Sequence, residues 1–177
     1  MPTWKTRGLR GSALEELINR TNEKYKDKGL ALIQKIPTPI TPIEIDHNTH
    51  HITLAYFDQK STVDYIGAVQ GVPVCFDAKE SATDTFNLQN IHDHQVEFME
   101  QFKHQKGIAF FLIYYSKKDL FYYMPIEEMK VFVDRAKNGG RKSFRFDELK
   151  EEHFLNQKSG VFVPYLDMIA KELAESE

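Results

Sequence analysis

Cysteine is nearly absent from this chain, since Cys75 is its only one in 177 residues. That excludes an intramolecular disulfide and any multi-cysteine zinc site, and within an apolar run Cys75 reads as a small core residue. No apolar run approaches the length of a membrane span. The stretch from Met1 to Arg7 lacks the apolar core of a signal peptide, so the expectation is a cytoplasmic protein. Gly-x-Ser-x-Gly, a phosphate-binding loop and zinc-ligand spacings are also missing, which leaves nucleophilic-serine, P-loop and zinc chemistry without support. An excess of positive charge is missing too. The net charge of −3 would, taken alone, argue against a nucleic-acid binder.

The sum conceals a gradient. Residues 1–40 hold eight Lys and Arg against four Asp and Glu, whereas residues 147–177 hold three against eight. Between them lies a basic cluster of Arg135, Lys137, Arg141, Lys142 and Arg145, which reads either as a solvated surface or as a phosphate-contacting patch. With 41% apolar residues and this length, one domain over 1–177 with a sizeable core is expected.

The most informative stretch is 61–80. Asp64 opens one β-run, and Asp77 and Lys79 lie on the next, with a turn contained in Gly67 to Pro73. Residues two apart on a strand share a face, so Asp77 and Lys79 project together while Val74, Phe76 and Ala78 project the other way. A hairpin can fold Asp64 back toward Asp77. Two carboxylates beside an ammonium suit a Mg²⁺ site for phosphodiester hydrolysis, because a hard cation takes oxygen ligands and the lysine steadies developing negative charge. The spacing D-x(12)-D-x-K is that of the PD-(D/E)xK nucleases. Acid and lysine two apart on an exposed strand are also a common solvated edge, but these carboxylates lie within apolar runs, where a buried charge needs a partner.

Along the rest of the chain, Ser12 to Glu15 reads as a capping box opening a helix with Leu14, Leu17, Ile18 and Tyr25 on one face, stopping near Gly29. Ala31 to Ile36 reads as a strand. Pro37, Pro39 and Pro42 then suggest an extended, polyproline-like run, and His51 to Phe57 returns to alternation, so that 37–58 has the character of an arm leaving the body. Asn90 to Phe102 predicts a second helix with Asn90 as its N-cap. Gln95 stands on its apolar stripe with Ile91, Phe98, Met99 and Phe102, and a glutamine there must hydrogen-bond or reach a site. Gly107 to Tyr115 and Leu120 to Met124 predict a central hairpin, and Pro125 opens a helix ended by Gly139 and Gly140. A short strand over Ser143 to Phe146 leads to Asp147 as the cap of a short helix, and 164–177 carries a last amphipathic helix. His92 and His94, two apart on a helix, point roughly 200° apart about its axis and so do not share an ion. His47, His50 and His51 fall in an exposed polar tip.

Several separated segments together resemble the RecU family of Holliday junction resolvases. They are Arg10-Gly11-x-x-Leu14-Glu15, Lys35-x-Pro37-Thr38-Pro39-Ile40, Ala55-Tyr56-Phe57, Ser61-Thr62-x-Asp64-Tyr65-x-Gly67, Phe76-x-Ala78-Lys79-Glu80, Asn90-Ile-His92-x-His94-Gln95, Gly107-Ile-Ala109-Phe110 and Gly140-Arg-Lys-Ser143. The resemblance implies an α/β PD-(D/E)xK, restriction-endonuclease-like fold with a central mixed sheet flanked by helices and a protruding stalk at 37–58. It also implies a homodimer that nicks four-way junction DNA with Mg²⁺, or Mn²⁺ as substitute, and a recombinase as a further partner. The metal ligands map to Thr62, Asp64, Asp77 and Gln95, and Lys79 maps to the stabiliser of the transition state. Arg10, Lys35, Arg141, Lys142 and Arg145 become candidates for contacting DNA. Glu15 resembles an acid that related nucleases aim at the metal, although the capping box gives it another task. Two alternatives remain at this stage: a nuclease of linear duplex, and a non-catalytic DNA-binding modulator of a recombinase.

Overall fold

The computed structural model describes residues 8–57, 62–156 and 160–175, with backbone alone over 8–12. Its elements run α1 (Gly8–Asp27), β1 (Ala31–Lys35), β2 (Ile40–Asp46), β3 (His51–Phe57), β4 (Tyr65–Val69), β5 (Val72–Ser81), β6 (Thr85–Asn87), α2 (Asp93–His104), β7 (Ile108–Tyr115), β8 (Leu120–Pro125), α3 (Ile126–Lys137), β9 (Ser143–Arg145) and α4 (Tyr165–Glu175). Single turns of 3₁₀ helix occupy Leu88–Asn90, Phe146–Glu148 and Glu151–His153.

Five strands form a mixed sheet in the order β1-β4-β5-β7-β8, in which only β5 and β7 run parallel, α2 lying in the connection between them. Each sheet face is covered by two helices. Leu14 and Ile18 of α1 and Tyr165 and Ile169 of α4 pack on one face against Tyr65, Phe76, Phe110 and Tyr123. Those four rings stack in a row across β4, β5, β7 and β8, with centroids 4.7, 4.8 and 4.3 Å apart. Val96 and Met99 of α2 and Ile126, Met129 and Phe132 of α3 pack on the other face against Cys75, Phe111, Ile113 and Tyr122. The alternation of β5 thus divides its side chains as the sequence implied: Val74, Phe76 and Ala78 toward α1, and Cys75 and Asp77 the other way.

The β4–β5 turn is tighter than the sequence suggested. It consists of Gln70 and Gly71 alone, with φ of 48° and 87°, the positive pair that a two-residue hairpin of matching twist requires. Gly67 lies within β4, paired with Ile33 and Val74, and any Cβ there would sit 2.0 Å from the Leu32 carbonyl oxygen on β1.

Other expectations change. α1 already exists at Gly8, so the backbone of Ser12 lies inside the helix rather than at the N-cap position that a capping box needs. The helix does end where glycine allows, with Gly29 at φ 64° and the Leu30 N–H bonding back to the Tyr25 carbonyl at 2.9 Å. The proline-bearing segment is a β-hairpin rather than a polyproline run: β2 pairs antiparallel with β3 from Ile40↔Phe57 to Asp46↔His51, with a bulge around Glu44. Pro42 is accommodated within this isolated two-stranded ribbon. Asn90 ends a 3₁₀ turn capped by Asn87, and α2 begins later with His92 as its N-cap. Asp147 lies inside its 3₁₀ turn, whose cap is Arg145. Among the described residues, no helix is long and apolar enough to cross a membrane.

Candidate active site

The register of β4 and β5 builds the centre of the site. Pairing ends at Tyr65↔Phe76, and its continuation sets Asp64 opposite Asp77. On its other side the backbone of Asp64 continues the pairing with β1, its carbonyl accepting the Ile36 N–H at 2.8 Å. Its carboxylate meanwhile takes the Ala78 N–H of β5 at 2.9 Å. The side chain thus supplies the bond to β5 that the backbone ladder no longer makes, and holds one carboxylate beside the other.

Asp77 is 1% exposed, on the face covered by α2. Gln95, in the first turn of α2 and also buried, donates from Nε2 to Asp77 Oδ1 at 2.9 Å and accepts the His92 N–H at Oε1 at 3.1 Å. Lys79 Nζ lies 2.7 Å from Asp77 Oδ2. The ammonium is the partner this oxygen has in the metal-free site. Burial drives the Asp77 carboxyl upward, Lys79 offsets part of the rise and Asp64 adds to it, leaving the group at about 7. Two opposed carboxylates, one of them buried and driven upward by that burial, form a place where a hard cation relieves both repulsion and desolvation. Such an ion would draw on few acids. Among the described residues no group of three His, Cys, Asp or Glu side chains could hold a metal, so Asp64 and Asp77 would need neutral oxygens beside them.

Thr62 is half-buried two residues before Asp64, at the start of a described segment. Gln95 currently presents its amide nitrogen to Asp77. Ligation through Oε1 would require the amide to turn and give up the His92 N–H. Glu15, freed of a capping role, receives Lys35 Nζ at 2.5 Å.

The basic candidates separate. Lys35 is paired with Glu15, Arg141 lies 3.4 Å from Glu148, and Arg145 grips Asp147 at 3.0 and 2.6 Å through Nε and Nη2. Lys142 has no ion pair among the described residues. The side chain of Arg10 lies outside the described residues. The two histidines of the α2 entry also depart from expectation: because His92 precedes the helix, its ring stacks on that of His94 with centroids 5.4 Å apart.

The family model for Recombination protein U, RecU, matches residues 9–171. The chain belongs to the RecU family. It is 36% identical over 170 residues to the Holliday junction resolvase RecU of Limosilactobacillus reuteri, covering 93% of this chain and 83% of that one. It is 42% identical over 154 residues to the RecU of Bacillus subtilis strain 168, covering 85% and 72%. The backbone of Hjc, a Holliday junction resolvase of Archaeoglobus fulgidus, matches 62% of this chain and 77% of its own at 8% identity and a TM-score of 0.37, a likeness too distant to carry weight.

Proposed function

We propose that this RecU-family chain is a divalent-metal-dependent endonuclease, of the PD-(D/E)xK type, that nicks the strands of four-way DNA junctions. The observation that carries the reading is the opposition of Asp64 and Asp77 with Lys79 against the buried carboxylate. Asp64 and Asp77 would hold Mg²⁺, or Mn²⁺ in its place, with Thr62 and a turned Gln95 as neutral oxygen donors. When bound, the ion polarises the phosphoryl oxygen and lowers the pKa of a water. Lys79 gives up its contact with Asp77 and stabilises the charge that develops on the phosphoryl oxygens as the attacking water displaces the 3′ oxygen. In the metal-free arrangement Gln95 instead donates to Asp77 and ties α2 to β5.

The β2–β3 hairpin is read as the stalk, an insertion within a single nuclease domain. It leaves Ile43, Leu54, Tyr56 and Phe57 exposed, an apolar load unusual for a two-stranded ribbon in water. A second copy and the open centre of a junction together would cover it, which supports a homodimer. Incubation with Mg²⁺ and end-labelled four-way, forked and linear DNAs tests the reading. Paired symmetric nicks in the four-way DNA are expected; equal cutting of the linear duplex would overturn the junction assignment.

A further inference from the structure

Two sizeable cavities border α3, one where it meets α4 beyond the edge strand β8 and one between it and α2. The larger, about 680 Å³, is lined by Glu127, Glu128, Glu148 and Glu172 among others, the wrong sign for a polyanion. The smaller, about 410 Å³, lies between the first turn of α2 and the end of α3. Leu88, Val96 and Val133 form its apolar floor, Ile91 and Ala136 stand half-exposed at its walls, and Lys142 is at its mouth. Its volume is in the range of small-ligand sites.

Position and charge name the occupant. Val96 directly follows Gln95, and Ile91 directly precedes His92, whose N–H binds the Gln95 amide. One side of the α2 entry therefore reaches Asp77 while another lines the cavity. A helix with its side chains is about 10 Å across, and stacked nucleotides of one strand rise about 3.4 Å along the duplex axis, so a strand crossing from Asp77 to the cavity spans at most about three nucleotides. Lys137 at the rim is taken up by Asp93 at 3.5 Å, so the cation available to a phosphate is Lys142.

We propose that this cavity receives an unstacked nucleotide of the DNA strand being cut, its base on the aliphatic floor and its phosphate on Lys142. The inference rests on the junction-nuclease reading and adds to it a subsite near the cleaved phosphate. Removing one base from the stack near the crossover costs little where pairing is already interrupted, so a four-way junction offers such a base more readily than continuous duplex. The subsite would therefore contribute to selectivity as well as affinity.

The test uses the full chain bound to four-way junctions in Ca²⁺, with 2-aminopurine placed in turn at each of the three nucleotides on either side of the mapped cut. Its fluorescence should rise at one position with the wild-type protein. Ala136→Phe, which fills the cavity from its wall, should abolish that rise and weaken junction binding about fivefold, the low end of base-contact energies. Lys142→Ala should do the same, and circular dichroism melts should show both variants folded. Absence of a rise at every position, in a protein that still cuts junctions in Mg²⁺, overturns the subsite and leaves the nuclease reading standing. A rise that persists in folded Ala136→Phe also overturns it, and the cavity then belongs to another occupant, such as an acidic peptide. A protein that neither binds nor cuts junctions would overturn both.

Discussion

Gln95 Nε2 reaches Asp77 Oδ1 across 2.9 Å and thereby ties the first turn of α2 to the middle of β5. The bond stabilises a carboxylate that is otherwise out of reach of water, and it orients that carboxylate toward Asp64. Gln95→Ala should therefore lower Mg²⁺ affinity or cleavage rate roughly 10- to 100-fold, the usual effect of losing a group that orients a ligand. A Mg²⁺ titration of single-turnover junction cleavage reads this. An unchanged midpoint and rate would reduce Gln95 to a packing residue.

Asp64→Asn and Asp77→Asn should each abolish cleavage while junction binding in Ca²⁺ stays within a few-fold of wild type. Neither charge is needed to close the sheet. An asparagine in place of Asp64 can still accept the Ala78 N–H, and one in place of Asp77 relieves a buried charge. Gel-shift and nicking assays on the same preparations separate the two effects. Nicking at wild-type rate by either variant would remove that carboxylate from the chemistry.

The raised Asp77 carboxyl makes metal-free stability depend on pH. Its folded value of about 7 exceeds the roughly 3.9 of an unfolded chain. The group's contribution to stability is thus fully present below about pH 4 and is lost as pH rises through about 7. At pH 8 in EDTA, Asp77→Asn should melt higher than wild type, and the gap should narrow as pH falls toward 5. Added Mg²⁺ should raise the wild-type Tm at pH 8 and leave that of the variant unmoved. Thermal melts across this grid provide the check, and parallel pH profiles for the two proteins would contradict it.

Lys79→Ala removes the ammonium 2.7 Å from Asp77. The variant should lose roughly two to three powers of ten in single-turnover rate, comparable to the loss of one oxyanion donor. Junction binding in Ca²⁺ should be retained. A wild-type rate would mean that the lysine serves only to neutralise Asp77 in the metal-free protein.

The approach of the two carboxylates was legible as a hairpin over 61–80, but their face-to-face register came from the position of a turn that the sequence had left anywhere between Gly67 and Pro73. Asp64 lies six residues before Gln70 and Asp77 six after Gly71, so a two-residue turn between them forces the pair face to face. Gln95 was legible as well, because a polar residue on an apolar stripe demands a buried partner. The capping box failed because Ser-x-x-Glu marks a start only where helix does not already exist, and α1 extends upstream to Gly8. The stacking of His92 on His94 was hidden by a boundary: the helical angle between them applies only if both are helical, and His92 is the cap. The pairing of three members of the basic cluster was legible, since Asp147 and Glu148 follow it directly and take up Arg145, Arg135 and Arg141, which leaves Lys142 as the member without an ion pair among the described residues. The cavity beside Lys142 was not, because its walls come from α2, α3 and a 3₁₀ turn that only tertiary packing brings together.

The hairpin is the feature that would make this protein a junction enzyme rather than a general nuclease, and its register supplies the excision points. Ile40 pairs with Phe57, so a short Gly-Ser link can replace 40–57 without stretching the chain. Nearly all of the removed side chains are exposed, and the ribbon forms no ladder with the five-stranded sheet, so the body should stay folded. Selectivity should fall: the variant should bind four-way and linear DNA with similar affinity, because phosphate contacts on the body persist without the arm. If the hairpin also joins two copies, the variant should sediment as a monomer and lose paired nicking. Competition binding, analytical ultracentrifugation and circular dichroism on one preparation distinguish these effects. A folded variant that retains its junction preference would place selectivity in the body, where the subsite beside Lys142 is the first place to look.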